Sequence, residues 1–518
     1  MLLLQGRYRR RRKEADIFRV HGPDAYAKRN TTPEFQIPNA DATCVMLPVF
    51  DYNGIVCRFP LLRYLMRSWM TSAAMLFLAA SSSYATPTVD AQRPYGLTSH
   101  APSKPWLLMP SQVDGRLPQL LSQTGAFKDV RPLTPDENLI PYDLNVSFWS
   151  DGATKSRWTA VPGQNGTTEK IGFSATGEWK FPGGTVFVKH FELPIDDARP
   201  NVRRRLETRL LVCDSTGGVY GVTYKWRPDN SDAELLATNL VETIAISTAS
   251  GMRTQQWYYP SREDCRTCHT RMAGGVLGVK TRQLNRDLVY PSGVIDNELR
   301  AWNHIGLFES HFGEAALSTY PKLAKSDDAA RPLEERARSY LDANCSHCHR
   351  PNGTVASFDA RYDTRLAEQN LIKGPVLIDE GMDNASIIAP NDIWRSIALV
   401  RMRTLEGFKM PPLAHQVLDR NGIELIEQWV QSLPGRPVLT PPSISPSGGN
   451  YAKPIEVTLN QPQGANIHYT LDGSAPTTSD PLYQEPIKLT GPTVFRARAF
   501  KPTYAKSITV QQIFIIGE

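Results

Sequence analysis

The chain has 518 residues, too many for one hydrophobic core and enough for about three to four domains. Its composition, 41% apolar and 21% charged with 40 prolines, is that of an ordinary soluble globular protein. The formal charge of +6 does not point to nucleic acid. Residues 1–85 hold twelve basic and six acidic side chains, which leaves 46 of each sign beyond them, and a formally neutral body gives no electrostatic reason to bind DNA or RNA.

The N-terminal stretch reads as an export signal. Arg67 precedes an apolar run from Trp69 to Ala80, followed by Ser83-Tyr84-Ala85, the small-x-small form of a leader-peptidase site. Residues 66–85 are therefore expected to be a signal peptide cleaved after Ala85, placing the protein in the periplasm or outside the cell. The run of about a dozen residues is too short to span a membrane. No cysteine follows the cleavage point to carry a lipid, so no stable membrane anchor is expected. Residues 1–65 are polar, Arg-rich at Arg7–Lys13 and without periodicity. They are read as a disordered, over-called start, with Met66 as the true first residue.

Residues 86–105 are rich in Pro and Ser and read as a linker. From 106 to 260 the chain is mainly β. Thr185–Val188, Arg209–Val212 and Val219–Trp226 are strand-like and separated by Gly-Gly, Pro-Gly and Asp-Asn turn signals. Residues 261–328 carry a first Cys-rich motif with short helices. Residues 329–433 carry a second. There Leu333, Ala337, Tyr340 and Leu341 have helical spacing, and Ile423, Ile426, Val430 and Leu433 form the stripe of a closing helix. A Pro-rich, semi-rigid linker follows at 434–449. Residues 450–518 alternate with period two around Asp472-Gly473 and are expected to form a small β-sandwich. The expected fold class is multidomain α+β: an N-terminal mainly-β domain, α-helical modules carrying the two Cys motifs, and a small C-terminal β-sandwich.

The chemistry sits in Cys265-Arg-Thr-Cys268-His269 and Cys345-Ser-His-Cys348-His349. Each is C-x-x-C-H, the attachment site of a c-type haem. Two thiols at this spacing can bridge two porphyrin vinyls, and the adjacent imidazole reaches the iron from beneath. Two copies in a chain with seven cysteines point to two covalently attached haem c groups, with His269 and His349 as proximal iron ligands, and make the two helical segments the expected α-helical cytochrome c haem modules. Of the other cysteines, Cys44 and Cys57 precede the cleavage point. Cys213 stands alone in Leu210-Leu211-Val212-Cys213, where a buried, inert thiol is expected. The rival reading is a zinc site built from Cys265, Cys268, Cys345 and Cys348. The large insertion between the pairs, the His after each pair and the export signal all disfavour it.

For the second iron, Met410 in Phe408-Lys-Met-Pro-Pro-Leu413 is the expected distal ligand, with Met402 as fallback. A thioether there raises the reduction potential relative to two imidazoles. For the first iron the candidates are His304, His311 and His190. His304 is the choice carried forward, Met272 lies too close to His269 to reach the opposite face, and a five-coordinate iron open to substrate or small gases is the alternative. His347, inside the second motif, reads as a bystander. In the β region, Pro141–Ala153 and Tyr224–Ala233 combine aromatics with Asp and Asn, which suits a ligand groove or, more simply, turns with core aromatics. No catalytic triad, metal cluster or P-loop stands out.

The segments Tyr142–Ala153, Trp226–Ala233, Cys265–Gly278, Gln283–Asp287, Tyr340–Arg350 and Met410–Leu433 resemble a family of bacterial dihaem c-type cytochromes of largely uncharacterised role. The likeness covers roughly residues 115–435. It implies a periplasmic redox protein with two haems, without naming a substrate. The tail is similar to the chitobiase/β-hexosaminidase C-terminal domain through Ile467–Thr477, Tyr483, Pro486-Ile487 and Ala497–Phe500. That resemblance implies an immunoglobulin-like accessory domain that docks a glycan or protein partner or acts as a spacer, with no hydrolase activity. The expected function is electron transfer with an unidentified redox partner protein. The alternatives are a dihaem peroxidase or oxidase with an open first haem, and a redox accessory protein docked on a glycan or cell surface.

Overall fold

The computed structural model describes residues 93–518 except 165, 354–356, 414 and 518. The expected over-called start, the signal peptide, the cleavage point at Ala85 and the first part of the 86–105 linker lie outside the described residues.

Two short ladders flank the main sheet: β1 (Phe127–Asp129) pairs with β2 (Thr134–Pro135), and β5 (Gly163–Gln164) with β6 (Thr167–Thr168). The sheet itself has six antiparallel strands: β3 (Leu139–Pro141), β4 (Thr154–Ala160), β7 (Val186–Pro194), β8 (Arg203–Cys213), β9 (Val219–Trp226) and β10 (Ala233–Leu235). Their order is β10-β9-β8-β7-β4-β3. Runs such as Val186-Phe-Val and Leu210-Leu-Val suit a pleated surface covered on both sides. Val186, Val188, Leu210, Val212, Val222 and Tyr224 fill one face beneath Leu107, Met109 and Leu121. Phe187 and Cys213, on the other face, pack with Val276, Leu284, Leu299 and Trp302. A two-stranded ribbon, β11 (Leu240–Thr248) and β12 (Gly251–Tyr259), leads into the first Cys motif.

Among the described residues there are six α-helices: α1 (Arg262–Cys268), α2 (Thr281–Leu284), α3 (Glu298–His304), α4 (Leu333–Asn344), α5 (Ile397–Met402) and α6 (Arg420–Ser432). Between α2 and α3 lies the hairpin of β13 (Asp287–Val289) and β14 (Ile295–Asn297). Helices account for 15% and strands for 30%, which overturns the expected α-helical cytochrome c modules. The physical reasons differ for the two segments. In 261–328 the helices have seven residues or fewer, and their apolar side chains complete the core of the β sheet. In 329–433 α4 and α6 pack together, with Ile423, Ile426, Trp429 and Val430 buried, but residues between them run mainly as loops. The fold is predominantly β, with helices as inserts.

The tail has a three-stranded and a four-stranded sheet. The first is β15 (Ser443–Ser445), β17 (Ile455–Asn460) and β19 (Ile487–Leu489). The second is β16 (Gly449–Tyr451), β18 (Asn466–Thr470), β20 (Thr493–Phe500) and β21 (Val510–Ile516). Val457, Leu459, Ile467, Phe495 and Phe514 form their shared core. This tail is locked to the α5 region. Asp383 meets Arg395 at 3.1 Å, Lys506 at 3.4 Å and Arg498, while Arg395 donates to the carbonyls of Lys506 and Ser507. No helix of the described residues is long and apolar enough to cross a membrane.

Candidate functional site

Helix α1 delivers the first motif. Ser261 caps it by accepting the Asp264 N–H at 3.1 Å, and the Asp264 carboxylate accepts the Ser261 N–H at 2.8 Å. Cys265 and Cys268 lie three residues apart, on one helical face. That face rests on β9 at Gly221, where a Cβ would come within 2.8 Å of the Cys265 Cβ and Sγ, so only glycine permits the approach. His269 ends the helix. Its Nδ1 lies 2.8 Å from the Gly275 carbonyl, which can only accept. The Nδ1 therefore carries the proton and Nε2 keeps its lone pair, the arrangement that orients a metal-binding imidazole.

Helix α4 delivers the second motif. The Cys345 N–H bonds to the Leu341 carbonyl at 2.8 Å, and the His349 N–H to the Cys345 carbonyl at 2.9 Å. The His349 ring stacks on Phe358, with centroids 4.2 Å apart, and its buried Nδ1 has no hydrogen-bond partner among the described residues. Burial pushes both motif imidazoles down, each to about 4, so both are neutral near pH 7. Burial likewise pushes the Cys265 thiol up to about 11 and Cys345 up to about 12.

The tertiary structure brings the two motifs together. A ligand atom from each of Cys268, His347 and Cys348 lies within 4.8 Å of the other two. A buried ionic seam holds the flanking segments in place. Asp342 on α4, with its side chain wholly buried, receives Lys280 Nζ at 2.8 Å and Arg282 Nη1 at 3.2 Å from the start of α2. Arg350, just past the second motif, reaches Glu178 at 2.9 Å and the Met272 carbonyl at 3.0 Å.

The first motif opens onto a cavity of about 190 Å³. Cys265, Cys268 and His269 line it together with His347. Its apolar wall includes Leu144, Val146 and Val276, and its cations are Lys189, Arg209, Lys280 and Arg350. Among the described residues Lys189 has no carboxylate within ion-pair distance. Burial first, then the neighbouring charges of Arg157, Lys155 and Arg209, holds its amine well below its ordinary value. Sequence reasoning missed these cations. Period two was their signal: Lys189 shares a face with Phe187 and pairs across the ladder with Arg209.

The segment Pro141–Ala153 divides its residues between two tasks. Tyr142, Leu144, Val146 and Phe148 line the cavity. Between them, Asp143 meets Arg157 and Arg286, Asn145 donates to the Arg282 carbonyl at 3.1 Å, and the Trp149 N–H bonds to Asn344 at 2.8 Å. Asp151 accepts the N–H groups of Gln416 and Val417 at 2.8 and 2.9 Å, tying the Met410 loop to the β domain. In Tyr224–Ala233 the simpler reading applies. Trp226 donates to Thr208 at 3.0 Å in the core, and Asp232 accepts from Ser122.

The expected distal ligands are scattered. Met410 is half-buried on the loop before α6, its N–H bonded to the Arg401 carbonyl at 3.0 Å. The Arg401 charge also acts on His349. Met402 is buried in the α4–α6 core. His304 is exposed at the end of α3 and stacked on Tyr95 with centroids 3.4 Å apart, outside the cavity lining. It ends the helix whose Leu299, Ala301 and Trp302 are buried. His311 meets Asn303 at 3.2 Å, His190 bonds to Thr208 at 2.8 Å on the sheet face opposite Lys189, and Met272 is exposed. Cys213 is buried with its thiol pushed up to about 12.

Residues 446–511 match the Chitobiase/beta-hexosaminidase C-terminal domain family. The match concerns the tail alone. A search of the curated proteins finds no match to the chain.

Proposed function

We propose that the chain is an exported redox protein that carries two covalently attached haem c groups and transfers electrons to a partner protein. The observation that carries the reading is the cavity at the first motif. Two thiols and a neutral imidazole with its Nε2 free line an apolar chamber that also presents four cations. The group these residues fit is a planar, apolar macrocycle with carboxylate arms. Cys265 and Cys268 would form its thioethers, His269 would hold its iron, and Lys189 and Arg209, the latter also bonded to Glu207 at 2.6 Å, would donate hydrogen bonds to its carboxylates. Cys345, Cys348 and His349 would hold the second, with Met410 as the proposed distal ligand. When bound, such a group supplies one-electron chemistry. The protein's own part is to keep the imidazoles neutral and oriented and to exclude water with Val146 and Val276.

A second reading is favoured by the placement of His304. With that ring outside the cavity, no imidazole other than His269 and His347 lines it among the described residues, and no methionine does. An iron at His269 with an open position suits a peroxidase or an oxidase.

The test is the visible spectrum of the protein made with a c-haem maturation system, reduced, with and without carbon monoxide. Absence of a c-type α-band ends the haem proposal. A spectrum unchanged by carbon monoxide supports electron transfer between two six-coordinate irons. A partial change moves the enzyme reading to the front. Tail-mediated docking to a cell-surface glycan is tested separately, by retention of the full chain on glycan resin against a chain ending at residue 433.

A further inference from the structure

Cys268, His347 and Cys348 come from different motifs, yet their ligand atoms lie within 4.8 Å of one another. Tetrahedral Zn²⁺ with Zn–S bonds of about 2.3 Å needs its ligand atoms about 3.5–3.8 Å apart, so rotamer adjustment brings this trio into range. Two sulfurs and one imidazole form the soft donor set that selects Zn²⁺ over Mg²⁺ or Ca²⁺. The site is half-dry: His347 is 8% exposed, and both cysteines are partly shielded. Cys268 and His347 also line the cavity at the first motif, so a fourth coordination position faces space that water can fill. The Phe148 ring packs edge-on to His347 at 5.5 Å and Arg350 crosses between the segments, which fixes the imidazole and limits the approach of other donors.

We infer that the chain without haem binds one thiophilic divalent cation through Cys268, His347 and Cys348, bridging the two motif segments. Binding forms two metal–thiolate bonds and one metal–imidazole bond, and the two thiol protons pass to solvent. The site stands on the side-chain geometry alone. One consequence rests on the haem reading: the same two sulfurs are the proposed attachment atoms, and a thioether is a poor zinc ligand, so metal occupancy and haem attachment at these cysteines exclude each other. The unloaded chain would then be held folded by metal until attachment displaces it.

The probe is Co²⁺, added anaerobically to reduced full-length chain made without haem-maturation machinery, with Zn²⁺ as competitor. The expected result is one Co²⁺ per chain, a thiolate-to-cobalt charge-transfer band, release of two protons, and loss of the band on adding Zn²⁺. Cys268→Ser and Cys348→Ser each weaken binding by at least roughly 100-fold, more than the loss of an outer-shell partner costs, and His347→Ala weakens it measurably. Cys265→Ser and Cys345→Ser, which keep the trio, bind as the parent does; they also control for folding. Absence of the band overturns the site. So does equal loss in the Cys265→Ser or Cys345→Ser variant, because the metal would then sit within a single C-x-x-C pair. Haem-loaded chain is the last arm: Co²⁺ binding there with undiminished affinity overturns the exclusion and leaves the metal site intact. Failure of the haem reading is seen separately, as a missing α-band in the matured protein.

Discussion

Asp342 is the point at which the two motif segments depend on each other. Its side chain is wholly buried, as are those of its partners Lys280 (5% exposed) and Arg282 (2%). Asp342→Leu leaves two buried cations short of their shared anion. Removing one partner of a buried pair costs about 3–5 kcal/mol. Lys280 keeps Glu178 at 3.7 Å and Arg282 keeps Asp363, so the lower end, about 3 kcal/mol, is expected. For a folded body of this size about 1 kcal/mol moves Tm by ~2 °C, which predicts a drop of roughly 6 °C at pH 7. The assay is thermal unfolding of the full chain by circular dichroism. Adding Lys280→Met should recover part of the loss, since one uncompensated charge is removed. The pH dependence has a definite sign. Burial alone would raise the Asp342 carboxyl, but Lys280 and Arg282 outweigh burial and hold it below its ordinary 3.8. A depressed carboxylate contributes fully above its unfolded value and loses that contribution as pH falls through the folded one. The gap between parent and variant should therefore narrow below about pH 4. A Tm change under ~2 °C at pH 7, or a gap that stays constant into acid, would refute the reasoning.

Gly221→Val should cost about 1–3 kcal/mol by overlap with Cys265, with reduced occupancy of that cysteine in peptide mass maps of matured protein; unchanged occupancy would show that α1 can shift. Asp383→Ala should free the tail, seen as faster protease cleavage in residues 434–449 at unchanged body Tm. Burial would raise the Asp383 carboxyl, but Arg498 and Arg395 hold it at about 2, so docking should persist in acid and fail only as pH approaches that value. Release near pH 4 would contradict the assignment. Met410→Ala should abolish the sulfur-to-iron absorption band of oxidised matured protein and lower one reduction potential. Retention of the band would move the ligand to Met402.

The two C-x-x-C-H motifs are legible in the sequence because they are local. C-x-x-C-H needs five consecutive residues, and α1 and α4 present them at their ends for reasons of capping and spacing visible in Ser261, Asp264 and Leu333–Leu341. The alternating strands around Val186 and the tail are legible for the same reason: period two is written residue by residue. The helical modules were misjudged because short apolar stripes do not say what they pack against. Val276, Leu299 and Trp302 complete a sheet core that begins more than 100 residues earlier, at Ile140. The stacking of His304 on Tyr95 was not legible because it joins residues some 200 positions apart. The cavity cations and the Cys268–His347–Cys348 trio come from segments far apart in the chain, so no window of sequence contains them. Sequence determined which groups can react; only the tertiary structure, through the Asp342 seam and the shared core, decided which of them meet.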